Sequence, residues 1–198
     1  MKGNFIVLEG IDLSGKTTHS KKLVDWIKSK NYRVVATEEP TGGSIGKLIR
    51  NYLTLGGISP TVYALLFAAD RMEHIEKVIK PLLSEGVTVV SDRYVESSIA
   101  YQAAEGLEIE WIENINRFAI SPDLTILLDI DPETALARKK EFRDSFENVE
   151  FLKKVRQIYL ERARAKKYPI INTNRDIETV HQDIVKCVEQ FLNKAQNL

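Results

Sequence analysis

The sequence predicts an α/β fold: a parallel sheet of about five strands with helices on its faces. Three observations lead there. Short β-rich runs alternate with longer helical patterns along the whole chain. Most of those runs are nearly all apolar instead of alternating, as in strands covered on both faces. A glycine-rich turn also lies between the first run and the first helical pattern.

The first run is FIVLE at 5–9, and a helical pattern follows at 17–29. RVVAT at 33–37 supplies the second strand. An amphipathic stretch at 60–83 leads into VTVVS at 87–91. LTILLD at 124–129 is the fourth strand, with helices at 132–140 and 149–165 after it. YPIIN at 168–172 completes the sheet, and a last helix covers 177–193. Crossovers in such sheets are right-handed, and ligands sit beyond the carboxyl ends of the strands. No repeat and no Pro/Ser-rich linker interrupts the chain. Residues 1–198 are therefore expected to form one domain, burying roughly 70% of the unfolded-chain surface.

Composition excludes several classes. Apolar residues make up 43% of the 198, so the chain is not of the disordered type. Lys plus Arg number 28 and Asp plus Glu 28, so the net charge is zero. That removes any long-range pull toward nucleic acid or an anionic membrane. Cys187 is the only cysteine and has no internal disulfide partner, which suits a reducing compartment. The apolar runs are too short for a bilayer, and the first residues lack a secretory signal pattern. The expectation is a soluble cytoplasmic protein with neither nucleic acid nor membrane as partner.

Gly10, Ile11, Asp12, Leu13, Ser14, Gly15, Lys16 and Thr17 fit the P-loop pattern of two spaced glycines followed by Lys and Ser/Thr. A strand before and a helix after give it the right context. Backbone N–H groups and the helix N-terminus would face phosphates. Lys16 would reach the β/γ-phosphates, and the Thr17 hydroxyl would bind Mg²⁺. The fold expectation is thus a three-layer P-loop NTPase type with flanking helices, with the basic cluster of Arg138, Lys139, Lys140 and Arg143 read as a mobile segment between two helices. Asp12 among anion-binding amides repels phosphate. It should face a hydroxyl, an arginine or a metal-bound water; the alternative is a solvated turn residue. Leu13 adds no charge, so the loop itself offers one cation, Lys16.

Phe67 and Arg71, four apart on a helix, share a face and suit a base: one stacks, the other bonds its edge. The alternative for Phe67 is plain core. Asp92 and Arg93 follow a strand directly, at the ligand-facing end of the sheet. Asp92 can hold Mg²⁺ through water and Arg93 can clamp phosphate; the alternative is a structural salt bridge. Ser97, Tyr101 and Gln102 offer polar groups just beyond, or lie on a helix surface.

These segments, in order, resemble the thymidylate kinase family, which transfers the γ-phosphate of ATP to dTMP. LEGIDLSGKTT, EEPTGGSIGKLIR, LLFAADR, SDRYVESSIAYQ, LTILLDIDPETAL and VRQIYLERA carry the resemblance over essentially the full chain. By that resemblance, Gly10 to Thr17 hold the ATP phosphates, and Arg50 binds the acceptor phosphate. Phe67 stacks on thymine and Arg71 bonds its O4. Arg93 clamps phosphates and Asp92 supports Mg²⁺. Ser97, Ser98 and Gln102 lie around the base, while Tyr101 packs at the sugar and disfavours a 2′-hydroxyl. Asp12 contacts the acceptor's 3′-hydroxyl or an acceptor-binding arginine. The resemblance also implies a homodimer.

Two departures from the family pattern bear on catalysis. Some members carry an arginine immediately after the loop acid, where this chain has Leu13. Members without it take catalytic arginines from the lid. The lid is expected at about 138–147, with Arg138 and Arg143 leading and Lys139 and Lys140 behind; the alternative is a solvated charge run. Where the family usually shows Asp-Arg-x-Glu, this chain reads Asp144-Ser145-Phe146-Glu147. A nucleoside monophosphate is mostly a dianion at neutral pH, so its oxygen needs no general base. Cations and positioning are expected to do the work, with Lys16, Arg93, Asp12 and Arg143 at its centre. His19, His74 and His181 are read as surface or helix-packing residues. The competing readings are another pyrimidine monophosphate kinase, a deoxynucleoside kinase, or a P-loop switch. A switch would need a guanine-reading Asn-Lys-x-Asp segment, which is absent.

Overall fold

The computed structural model describes residues 3–138 and 149–196. Its elements are β1 (Phe5–Glu9), α1 (Lys16–Ser29), β2 (Val34–Glu38), α2 (Ser44–Leu55) and α3 (Pro60–His74). A π-helical turn (Ile75–Ile79) joins α3 to α4 (Lys80–Ser84). Then come β3 (Thr88–Asp92), α5 (Val95–Ala104), α6 (Ile109–Ile115), β4 (Leu124–Asp129) and α7 (Pro132–Ala137). Beyond residue 148 follow α8 (Val149–Lys166), β5 (Ile170–Asn172) and α9 (Ile177–Gln196). The five strands form one sheet in the order β2-β3-β1-β4-β5, with every neighbouring pair parallel.

β1 lies in the middle and is buried at all five positions. Its alternate residues therefore feed two cores. Ile6 and Leu8 pack with Leu23 and Ile27 of α1 and with Val180, Ile184 and Val188 of α9. Phe5 and Val7 face Ile75, Ile79 and Leu83 on the opposite side. Helices on both faces make three layers, as the apolar runs predict. Each such side chain contributes roughly 1.5–3 kcal/mol by leaving water. The register sets Leu8 beside Asp92 of β3 and Glu9 beside Leu127 of β4. The turns that leave β1 and β3 thus emerge side by side.

Several elements differ from expectation. β2 starts one residue later and is an edge strand, with Val35 37% exposed, so double coverage fails there. The fifth strand is reduced to three residues. The single helix expected at 60–83 is interrupted by the π-helical turn just before Pro81. A proline ring clashes with the carbonyl four residues back, and the widened turn relieves that clash. Helices α2, α5 and α6 carry no expectation at all. α5 is buried on most sides, at Glu96, Ser98, Ile99, Ala100 and Gln102, so no apolar stripe marks it. The helix expected at 132–140 is seen over Pro132–Ala137. Residues 139–148, which hold most of the expected lid with Arg143, Lys139 and Lys140, lie outside the described residues.

Candidate active site

The phosphate loop follows from the backbone demands of leaving β1 and entering α1. Gly10 sits at φ 150°, and a Cβ there would lie 2.4 Å from the Leu128 carbonyl oxygen. Gly15, at φ 93°, caps α1 in the left-handed region. Leu13 also has positive φ, at 64°, a conformation that is costly for a residue with a Cβ. No acid occupies the first turn of α1, so the positive end of its dipole stays available to an anion.

Lys16 is buried and folds back over this loop. Its ammonium donates to the carbonyls of Gly10 (3.0 Å) and Ile11 (2.7 Å). Burial is the main influence on it and the Arg93 charge adds to it; Asp12, Asp92 and Glu9 only partly oppose them. Its pKa is lowered to about 8. Thr17 donates its hydroxyl to Asp92 Oδ2 at 2.6 Å. Asp92 Oδ1 is buried and has no hydrogen-bond partner among the described residues. A hydroxyl and a carboxylate with a spare oxygen suit a hard divalent cation that keeps most of its waters.

Arg93 turns back at φ 73° and reaches across to the loop. It pairs with Asp12 and donates to Ser97 Oγ at 3.0 Å, and its guanidinium lies 5.2 Å from the Tyr101 ring centre. The Tyr101 hydroxyl donates to Asp12 Oδ2 at 2.8 Å and accepts from the Asp12 backbone N–H at 3.0 Å. Burial pushes the Asp12 carboxyl up, but Arg93, Lys16 and Tyr101 outweigh it and hold it below the usual carboxylate range. Of the partners expected for Asp12, the structure supplies an arginine and a hydroxyl.

Two cavities meet at this pair. One, of about 570 Å³, is lined by Lys16, Thr17, Asp92, Arg138, Thr173 and Arg175. The other, of about 350 Å³, is lined by Pro40, Phe67, Arg71, Ser98, Tyr101 and Gln102. Asp12 and Arg93 belong to both walls. Each volume lies in the range of small-molecule sites.

The second cavity is braced by the chain that follows β2. Arg71 is 1% exposed. It donates to Glu39 Oε2 (2.9 Å), to the Tyr94 carbonyl (3.1 Å), to Ser98 Oγ (3.0 Å) and to Asn116 Oδ1. His74 joins Glu39 Oε1 at 3.0 Å, and Asp70 takes the Thr41 backbone N–H at 2.7 Å. Arg50 donates to the carbonyls of Pro40 and Thr41 and, at 3.3 Å, to Glu38.

A family model described as Thymidylate kinase matches residues 8–184. A "Probable thymidylate kinase" of Pyrobaculum calidifontis is 49% identical over 191 residues, covering 95% of this chain and 97% of the relative. One of Thermococcus kodakarensis is 44% identical over 203 residues, with 96% and 99% covered. One of Pyrococcus horikoshii is 47% identical over 204 residues, with 97% and 98% covered. The chain belongs to the thymidylate kinase family.

Within this thymidylate kinase fold, the expected site residues take definite places. Lys16, Thr17, Asp92 and Arg138 line the first cavity; Phe67, Arg71, Ser97, Ser98, Tyr101 and Gln102 line the second. Arg138 donates to the Thr173 carbonyl (2.6 Å) and to the Leu13 carbonyl (3.3 Å), so it touches the loop. Arg50 is not in either lining and instead holds the 40–41 turn. His19 and His74 are buried, which removes the surface reading for both. The His19 ring stacks on His181 at 6.4 Å and packs α1 on α9. Burial lowers the His19 pKa to about 4, so the ring is neutral.

Sequence reasoning missed Glu9, Glu39, Asn116 and Tyr159, and it missed Thr173 and Arg175 in the first cavity. Glu9 ends an otherwise apolar strand directly before the loop, and that position was the available signal. Thr173 and Arg175 follow the carboxyl end of β5, so strand-end logic alone pointed to them.

Proposed function

We propose that the chain transfers the γ-phosphate of ATP to dTMP, giving dTDP and ADP. One observation carries the reading: the Asp12–Arg93 pair stands in the wall common to both cavities. A donor on the phosphate loop and an acceptor beside Phe67 then present their phosphates to the same guanidinium. The donor cavity holds the ATP phosphates on the loop N–H groups, Lys16 and the α1 N-terminus. In the acceptor cavity Phe67 stacks on the base, Arg71 and Ser98 face its edge, and Tyr101 stands at the sugar.

The residues present fit Mg²⁺, which Thr17 and Asp92 would hold. When bound, it would supply positive charge against the phosphate oxygens. The chain's own groups then have three tasks. Lys16 leaves its carbonyl partners for phosphate oxygens. Arg93 stabilises the charge that spreads over the transferring group. Tyr101 and Asp12 keep that guanidinium in place, and a misplacement of 1 Å is costly in such chemistry. No proton need be removed from a phosphate acceptor, and the site matches that economy. Glu9 is buried among four donors, and Asp12 is taken by Arg93 and Tyr101. A nucleoside hydroxyl acceptor would need one of them as a base.

Arg143 remains our proposed lid contributor on sequence grounds alone. We also read 1–198 as one catalytic unit working in the cytoplasm as a homodimer. Among the described residues no helix is long and apolar enough to cross a membrane. The dimer reading is supported by α2 and α3, which expose the apolar side chains of Leu48, Leu55, Val62 and Leu65. Sedimentation of the purified protein at twice the monomer mass of 22.5 kDa is the expected result.

The deciding experiment is a coupled assay of ADP release with dTMP, dUMP, UMP and thymidine side by side. dTMP should give the highest kcat/KM and thymidine none. Faster turnover of thymidine than of dTMP would overturn the reading. Selectivity over dUMP rests on one methyl group and is expected at about 10–200-fold.

A further inference from the structure

Glu9 is the last residue of β1, is 1% exposed, and precedes the first loop glycine. Its two carboxylate oxygens lie within hydrogen-bond distance of four donor groups, all outside β1. Oε1 accepts the backbone N–H of Tyr94 (2.8 Å) and of Ser97 (3.2 Å). Oε2 accepts the hydroxyls of Ser97 (2.6 Å) and Tyr159 (3.0 Å). Tyr159, on α8, is also buried, and its hydroxyl stands 2.7 Å from Ser97 Oγ.

These bonds bear on Arg93 in two ways. Arg93 sits at φ 73°, a backbone state that its side chain disfavours. Glu9 holds the N–H of the next residue, Tyr94, and that of Ser97 in the first turn of α5, so the carboxylate fixes the turn from β3 into α5. The second effect runs through Ser97. Its single proton goes to Glu9, which leaves its lone pairs for Arg93 Nη1 at 3.0 Å and for the Tyr159 hydroxyl, whose one proton is shared between Ser97 Oγ and Glu9 Oε2. Without Glu9 and Tyr159 the hydroxyl is free to rotate and stop accepting from the guanidinium.

We propose that Glu9 and Tyr159 are positioning residues for Arg93: they orient Ser97 and the β3–α5 turn so that the guanidinium meets the transferring phosphoryl group. The proposal rests on the reading of Arg93 as the phosphate clamp. Burial pushes the Glu9 carboxyl up, against the lowering effect of the Ser97 bond and of Arg93. The arrangement also ties α8 to the phosphate loop strand, since residues 9, 97 and 159 meet at one point.

The test is a double-mutant cycle on the full chain. Tyr159→Phe keeps the ring and removes one hydroxyl, and Ser97→Ala removes the acceptor itself. Each should lower kcat about tenfold, with KM for ATP and for dTMP changed less than about twofold. Arg93→Ala should lower kcat much further. In the Arg93→Ala background, Tyr159→Phe should cost less than about twofold, because the group it acts through is gone. A role in packing alone predicts the same tenfold loss in both backgrounds, and that result would overturn the proposal while leaving Arg93 as the clamp. Arg93→Ala at wild-type kcat would overturn the clamp reading first and the proposal with it. Should Tyr159→Phe fail to fold, Ser97→Ala carries the same cycle. Rescue of Glu9→Ala toward wild-type kcat by Glu9→Asp at matched thermal stability would count for the proposal, and equal kcat in those two variants against it.

Discussion

Lys16 gives the sharpest prediction, because its state is set by where it lies before a nucleotide arrives. Burial and the nearby Arg93 charge lower its pKa from 10.5 to about 8. Triphosphate oxygens around the ammonium reverse that balance and restore a value near or above 10.5. Binding then takes up a proton above pH 8. With those two values, affinity for ADP or a non-hydrolysable ATP analogue is nearly constant to pH 7.5 and falls about 30-fold by pH 9.5. At ~1.4 kcal/mol per tenfold, that is about 2 kcal/mol. Titration calorimetry in two buffers of different ionisation heat should count about 0.5 proton at pH 8 and about 0.9 at pH 9. The sign for stability is opposite. The unfolded lysine binds more protons than the folded one between pH 8 and 10.5, so this group's contribution to the ligand-free protein improves as pH rises through that window. The thermal shift given by saturating ADP should shrink over the same range. Affinity flat within threefold from pH 7 to 9.5, with no proton uptake, would refute the argument. Tyr101 and Tyr159 do not confuse it, since burial raises both above the window.

Three further outcomes are expected. Phe67→Ala removes the stacking face and should raise KM for dTMP by about 5- to 150-fold, from a stacking worth of about 1–3 kcal/mol, while KM for ATP stays put in initial-rate assays. Arg71→Ala should raise KM for dTMP and also lower stability by about 3–5 kcal/mol in urea titrations, because it leaves Glu39 buried without its guanidinium; a stability unchanged within 1 kcal/mol would contradict the buried pair. Arg143→Ala should lower kcat more than it raises KM, and an unchanged kcat in steady-state assays would remove Arg143 from the mechanism.

Legibility followed the range of the interactions. The loop at 10–17 is local: its glycines, Lys16 and Thr17 act through backbone geometry that spacing alone encodes. Asp92 and Arg93 were legible because a strand end is a local event with a known direction in a parallel sheet. Glu9 was not, since its partners lie 85, 88 and 150 residues away. The Arg71–Glu39 pair spans 32 residues and depends on the turn after β2 folding back onto α3. Sequence reasoning therefore assigned Arg71 a face toward a base and gave no sign that the same guanidinium is held by protein on most sides. Arg50 shows the converse: its motif was visible, but only the fold reveals that it braces carbonyls of the 40–41 turn.

The placement of charge explains why this loop works with only one cation of its own. Lys16 is the loop's one cation and Leu13 adds none, so a second positive group must come from elsewhere. A guanidinium on the loop would serve the donor cavity. One rising from the end of β3 stands in the wall common to both cavities, where on the proposed reading it would contact the phosphoryl group on either side of transfer. That advantage has a cost, because a buried cation without a partner is unstable. Asp12 supplies the partner, and Tyr101 holds Asp12 by its hydroxyl and flanks Arg93 with its ring. The acid that looks out of place in a phosphate loop is thus what holds an arginine in the wall shared by the two cavities.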